Sequence, residues 1–98
     1  MKNAKKKLTI FKAMTADMQS RPDAYSGETP AGMAEASLAE ATGIPLDELC
    51  DKQQRTGVIL EMERQGTVRT GHGSGDDRFG SAWLTESGKR LARMFVSS

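Results

Sequence analysis

Residues 67–95 read TVRTGHGSGDDRFGSAWLTESGKRLARMF. Two short runs of strand-forming residues, 67–70 and 81–85, flank a ten-residue connection over 71–80 that contains four glycines. Strand-like runs around a glycine-rich connection are typical of a β-hairpin. Thr85 stands where a hydroxyl can cap a following helix. The segment therefore predicts a β-hairpin that leads directly into a helix.

The composition of that last helix agrees with its predicted direction. Glu86 lies at the start of the helix, and the basic residues Lys89, Arg90 and Arg93 follow. Acidic residues are favoured near the N-terminus of a helix and basic residues near its C-terminus, because the peptide dipoles align along the axis.

Two helices are predicted before the hairpin from apolar spacing and from turn residues. Apolar or small residues at 4, 8, 11, 15 and 18 predict a first helix over 4–18, which Pro22 ends. Thr29 as N-cap, Pro30 at the first helical position and Gly43 as the stop predict a second helix over 30–42. Tyr25, in the loop between them, is expected to pack on the core.

A third helix begins after Pro45 in this interpretation, and two alternatives remain for its course. The favoured one is a continuous helix to Gln65 that Gly66 ends. In the other, the helix breaks near Gly57. With either alternative the elements predict a mainly α fold with a small β-hairpin, and about four helices in one domain over 1–98.

Composition sets limits on function. With 98 residues, 37% of them hydrophobic, the chain has room for one small domain. The net charge of +1 gives no support to nucleic-acid binding from bulk charge alone. No apolar run reaches the ~18 residues of a membrane span, so we expect a cytoplasmic protein without membrane contact. The basic segment 1–7 is expected to be a poorly ordered arm.

Two motifs resemble winged helix-turn-helix transcriptional regulators of the MarR and PadR type. Leu38-Ala39 followed by Gly43-Ile44 and Leu49 resembles their helix-turn-helix, in which a small residue and a turn glycine let two helices cross closely. Gly66-Thr67-Val68-Arg69 and the run from Trp83 to Ala92 resemble their wing and closing helix. The stretch from Gly43 to Gly66 is about one helical turn longer than that pattern.

The resemblance implies sequence-specific binding to double-stranded DNA by a small prokaryotic or phage regulator. Its third helix would enter the major groove, and the wing, with its loop over 71–80, would hold the flanking backbone. The side chains expected to contact DNA are polar or basic: Lys52, Gln53, Gln54, Arg55, Thr56, Arg69, His72, Ser74 and Arg78.

A homodimer is also expected, because one such unit makes few base contacts and a twofold site doubles them. The candidate interface residues are apolar and come from the first and last helices: Leu8, Phe11, Met14, Met18, Leu91 and Phe95. The alternative function is a winged-helix module that binds a protein partner and no DNA. The acidic residues Asp47, Glu48 and Asp51 favour this alternative, because carboxylates repel phosphates.

Other chemistry has little support in the sequence. No nucleophile, base and orienting acid can be grouped around the single histidine, so we expect no enzyme activity and no cofactor. One histidine and one cysteine cannot supply a tetrahedral zinc site within a subunit. The glycine-rich stretch leads into a strand, whereas phosphate-binding loops lead into a helix. Cys50 and Trp83 are expected to be core residues.

Overall fold

A computed structural model of the chain describes residues 3–51, 54, 56–71 and 80–97. Within these residues the fold is mainly helical, with a small three-stranded antiparallel sheet. The elements in chain order are α1 (Ala4–Ser20), a 3-10 turn (Pro22–Tyr25), β1 (Met33–Ala34), α2 (Glu35–Thr42), α3 (Leu46–Leu49), α4 (Val58–Gln65), β2 (Val68–Gly71), β3 (Ser81–Leu84) and α5 (Glu86–Ser97).

The first helix begins at Ala4, as predicted, so it includes residues 4–7 of the basic segment. The buried side of α1 is not the predicted apolar stripe as a whole. Ile10 and Met14 are fully buried, whereas Leu8, a member of that stripe and an interface candidate, is 47% exposed. The side of α1 that bears Ile10 and Met14 is thus the side that packs into the core.

The segment after α1 is tied back to that helix by a polar cluster. The guanidinium of Arg21 donates to both carboxylate oxygens of Asp17, at 2.9 and 2.6 Å, and to the carbonyl of Gly32 at 3.0 Å. The hydroxyl of Tyr25, a buried residue, donates to Asp17 at 2.7 Å. Tyr25 therefore joins the core, as predicted, and the cluster holds Gly32 at the entrance to β1.

The second helix is shorter than predicted, because residues 30–34 are not helical. The chain takes a positive φ of 65° at Gly32, where an added Cβ would lie 2.4 Å from the carbonyl oxygen of Ala82. Met33 and Ala34 then pair with β3 as a two-residue strand. The predicted N-cap role of Thr29 is wrong for the same reason, whereas Gly43 ends the helix at a φ of 73°, as predicted.

The prediction of a continuous helix over 45–65 is wrong, and the alternative break near Gly57 is confirmed. Cys50 is extended at φ −158°, and Asp51 and Thr56 form an antiparallel bridge with backbone hydrogen bonds of 2.8 and 3.0 Å. Gly57 has a φ of 124°, and an added Cβ would lie 2.6 Å from the carbonyl oxygen of Leu49. Such a backbone conformation is essentially restricted to glycine.

The sheet has the strand order β1-β3-β2. Its register pairs Val68 with Leu84 and Arg69 with Trp83. Since side chains alternate along a strand, Val68 and Leu84 point into the core, and Arg69 and Trp83 lie on the outer face. The predicted hairpin is confirmed, and β1 is an addition that the sequence analysis did not anticipate.

The last helix is fastened to the turn between α4 and β2. The hydroxyl of Thr85 accepts from the N–H of Gly88 at 3.1 Å, as a capping residue does, and also donates to the carbonyl of Gly66. The N–H of Thr85 donates to the carbonyl of Thr67 at 3.0 Å. A Cβ on Gly88 would lie 2.2 Å from that same carbonyl oxygen. Thr85 and Gly88 thus allow α5 to start in direct contact with β2.

One hydrophobic cluster lies between the inner face of the sheet and the helices. Cys50 belongs to it, as predicted, and Trp83 is only half-buried, packed against it from the outer face. The buried members are Ile10, Met14, Tyr25, Met33, Leu38, Ile44, Leu49, Cys50, Val58, Ile59, Met62, Val68, Ala82, Leu84 and Ala92.

Gly57→Ala tests whether the break between α3 and α4 depends on glycine. We expect a loss of about 3 kcal/mol in the free energy of unfolding, from backbone strain together with the clash at Leu49. Gly43→Ala is the matched control, because Gly43 also has positive φ but has open space around it. The control should cost about 1 kcal/mol. Equal urea midpoints for the two variants would contradict the structure at Gly57.

Asp17→Asn tests the polar cluster and its pH dependence. The hydrogen bond from Arg21 lowers the pKa of Asp17 below its ordinary 3.8, with a further contribution from Tyr25. A lowered pKa in the folded state gives stability that is fully present above the ordinary value and is lost as pH falls through the folded value. We expect Asp17→Asn to lose about 1 kcal/mol at pH 7. In thermal unfolding the difference from wild type should shrink below about pH 4. A difference that stays constant down to pH 2 would exclude the carboxylate as its source.

Candidate nucleic-acid interface

The relation between α4 and β2 determines where the predicted DNA-contacting segments emerge. Gly66 ends α4 at a φ of 86°, and β2 begins two residues later. One carboxylate oxygen of Glu63 accepts from the N–H and the hydroxyl of Thr70, at 3.2 and 3.1 Å. Each element spans about 10 Å. The start of α4 and the end of β2 therefore lie at the same end of the molecule.

One further contact and the positions of two residues along the chain define this end. The N–H of Glu35, the first residue of α2, donates to the carbonyl of Gly80 at 2.9 Å. Thr56 lies two residues before α4, and Gly71 ends β2. We refer to the region formed by Glu35, Thr56, Gly71 and Gly80 as the polar end. The polar run 52–56 and the connection 71–80 both meet the rest of the fold there.

The predicted DNA-contacting residues fall into three groups. Gln54 and Thr56 are exposed at the polar end, where the N–H of Gln54 donates to a carboxylate oxygen of Asp51 at 3.1 Å. They lie in the segment closed by the bridge between Asp51 and Thr56 and not on a helix face, which corrects the predicted recognition helix. Arg69 is exposed on the outer face of the sheet, apart from these two. The others lie outside the described residues: Lys52, Gln53, Arg55, His72, Ser74 and Arg78.

The carboxylates of α3 and α4 are partly neutralised by α1, which the sequence analysis did not foresee. Lys6 Nζ lies 2.5 Å from Glu48 Oε1 on α3, and Lys7 Nζ lies 3.8 Å from Glu61 Oε1 on α4. The side-chain amide of Asn3 donates to the other oxygen of Glu61. These residues are 42 and more positions apart, so only the tertiary fold could reveal the pairs.

Exposed apolar side chains occur on both α1 and α5, and we call the surface that these two helices form the α1–α5 face. The large hydrophobic residues that the structure describes as exposed are Leu8 (47%), Leu91 (47%), Met94 (68%), Phe95 (45%) and Val96 (51%). Phe95 packs edge-on against Phe11, with ring centroids 6.0 Å apart, and Lys12 Nζ lies 5.9 Å from the Phe95 ring.

The predicted dimer interface needs one correction and two refinements. Met14 is fully buried between the elements of the fold and has no surface to offer a partner. Phe11 and Met18 are half-buried and pack against the core. Leu8, Leu91 and Phe95 are exposed as an interface requires, and Met94 and Val96, which the sequence analysis did not name, are exposed as well. The amphipathic spacing of α5 was the signal that could have identified Met94.

An open groove of about 780 Å³ runs along the outer face of the sheet to the start of α5. Trp83 forms its apolar wall, and Arg69 and Lys89 bring positive charge to it. Glu28, Glu63 and Glu86 balance that charge, and Lys89 pairs with Glu86 at 3.4 Å. With both signs of charge present, the groove selects for neither anions nor cations.

In the described part of the chain, no group of three or more histidine, cysteine or acidic side chains could hold a metal ion. Helices long and apolar enough to cross a membrane are absent from the same residues. His72, Asp76 and Asp77, the metal ligands that could be imagined from the sequence, lie outside these residues.

Comparison of the chain with models of protein families, with curated proteins and with solved structures finds no match. Its function is therefore inferred from its own residues and geometry.

Proposed function

We propose that the chain binds double-stranded DNA as a small winged helix-turn-helix regulator in the cytoplasm. The observation that carries the proposal is the contact of α4 with β2 through Glu63 and Thr70, because the polar run 52–56 leads into α4 and the connection 71–80 follows β2. A domain that uses both a helix-turn-helix and a wing needs the two on one side of the molecule, so that both reach the same duplex. The element order supports the proposal, with β1 before the helix pair α2 and α3 and the hairpin after α4.

In this proposal the two segments have different tasks. Gln53, Gln54 and Arg55 carry amide and guanidinium groups that can read base edges in the major groove. Lys52 and Thr56 hold phosphates beside them. Residues of the 71–80 connection, His72, Ser74 and Arg78, contact the flanking backbone or the minor groove. The protein acts without chemistry, by occupying a site that polymerase needs or by recruiting polymerase.

Arg69 enters the proposal in a smaller role than the sequence analysis gave it. Its side chain lies on the outer face of the sheet, where Arg69 lines the groove. From that position it can strengthen the positive potential near the duplex.

We also propose that the protein acts as a homodimer through the α1–α5 face. Five large apolar side chains are exposed on these two helices, and exposed apolar patches mark interaction sites. Two copies related by a twofold axis would place two polar ends on neighbouring half-sites, which raises both affinity and specificity.

DNA binding is tested by titrating a labelled mixed-sequence genomic duplex with the full chain at two salt concentrations. We expect affinity to fall on the order of 100-fold between about 50 and 200 mM salt for about four phosphate contacts, because counterions are released on binding. Absence of binding at 50 mM would refute DNA binding and favour the protein-interaction alternative.

The location of the interface is tested by Arg55→Ala combined with Arg78→Ala. We expect this double variant to bind DNA about tenfold more weakly with an unchanged melting temperature. Lys5→Ala with Arg90→Ala removes the same charge from exposed positions on α1 and α5 and serves as the control. Equal losses in the two double variants would mean that the effect is one of net charge, and the interface would then lie elsewhere.

The dimer is tested by Leu91→Glu combined with Met94→Glu, measured by sedimentation equilibrium. Both side chains are exposed, so we expect dissociation to monomers with a melting temperature within a few degrees of wild type. Ser87→Glu adds a negative charge at an exposed position in the first turn of the same helix and should leave the dimer intact. A wild-type chain that sediments as a monomer at high concentration would exclude the homodimer.

A further inference from the structure

We propose that Lys6 and Lys7 are internal counter-ions of the DNA-binding surface, which neutralise carboxylates on α3 and α4 that DNA phosphates would otherwise repel. This inference rests on the proposed function and adds to it a role for α1. It assigns to two lysines of the first helix a positioning and charge-balancing part in binding, distinct from direct contact with DNA.

The geometry of the pairs carries the inference. Glu48 and Glu61 lie on the two helices that flank the polar run, and each is reached by a lysine from the first turns of α1, at 2.5 and 3.8 Å. Glu61 stands only one helical turn into α4, and its N–H donates to the carbonyl of Gly57 at 3.2 Å. Both carboxylates thus lie on the helices that precede and follow, along the chain, the segment that is proposed to enter the groove.

The pairs matter more for binding than for folding. The side chains are partly exposed, at 42% and 46% for Lys6 and Glu48, and ion pairs in such positions contribute little to stability. A DNA duplex, in contrast, carries one negative charge per about 1.7 Å of its axis. A bare carboxylate within the screening length of about 10 Å at 0.1 M salt feels that field. Neutralising it removes a repulsion that appears only in the complex.

Lys5, next to Lys6, provides the control that the test needs, and Asp47, next to Glu48, shows that an ion pair on these helices is specific to certain residues. The ammonium group of Lys5 is exposed and has no ion-pair partner among the described residues. Asp47, beside Glu48 on α3, is an exposed carboxylate that likewise has no ion-pair partner in the part of the chain that the structure describes. Removal of charge at Lys5 changes the net charge of the protein by the same amount as removal at Lys6, but it uncovers no carboxylate.

The experiment measures the affinity of the full-length chain for the labelled mixed-sequence duplex at about 50 and 200 mM salt, a range over which charge effects change strongly. The variants are Lys6→Gln, Glu48→Gln, the combination of the two, and Lys5→Gln as control. We expect Lys6→Gln to weaken binding about three- to tenfold at the lower salt, and Lys5→Gln to weaken it less than half as much. The combined variant should return to within about twofold of wild type, because the pair is neutral again.

Each other outcome has a distinct meaning. Equal losses for Lys6→Gln and Lys5→Gln would overturn the inference in favour of a net-charge effect. A combined variant as weak as Lys6→Gln would overturn it in favour of direct contact between Lys6 and phosphate. If the wild type itself fails to bind, the proposed function falls and this inference falls with it.

A second set of variants tests the inference independently, in case a variant of the first set misfolds. Lys7→Gln, Glu61→Gln and their combination repeat the design on α4, and circular dichroism confirms that each variant folds. We expect the same rescue in the combined variant, with a smaller effect because the Lys7–Glu61 distance is longer.

Discussion

The carbonyl oxygen of Thr67 makes the contact that holds the hairpin and the last helix together. It accepts the N–H of Thr85 and lies so close to Gly88 that no side chain fits between them. This contact joins the end of α4, the start of β2, the end of β3 and the start of α5. It thereby fixes the direction of β2 against α4, and with it the end of the molecule at which the polar segments emerge. The Leu-Thr-Glu-Ser-Gly sequence at 84–88 contains the two residues, Thr85 and Gly88, that make this contact possible.

The sequence predicted elements whose signals are local and missed those that tertiary contacts create. The hairpin, the Thr85 cap and the stops at Gly43 and Gly66 follow from residues within a few positions of each other. The two-residue strand β1 forms only because β3 offers it a partner, so no periodicity could reveal it. The sequence favours a continuous helix over a break at Gly57, because a glycine in a helical pattern does not reveal its φ until its contact with Leu49 is known.

The residue types of the candidate site could be predicted from the sequence, but the ion pairs that determine the charge around it could not. Residue types in 52–56 identified a polar run from sequence alone, and Gln54 and Thr56 are indeed exposed. The acidic residues near it favoured a protein partner over DNA when read in order along the chain. Among them Glu48 pairs with Lys6, and Lys7 pairs with Glu61 on α4; both pairs depend on the packing of α1 against α3 and α4. Charge that looks unfavourable in a linear sequence can be cancelled by a distant helix.

The carboxylate of Glu63 also occupies a hydrogen-bond donor at the edge of the sheet. β2 lies at the edge of the sheet, and the Thr70 N–H that Glu63 accepts is directed away from β3, toward the position that an added strand would occupy. An edge strand with open N–H groups is a template for pairing with other chains. Glu63 occupies that donor and brings a negative charge to the edge, so the chain is protected against strand-to-strand aggregation at the place where its sheet is otherwise open.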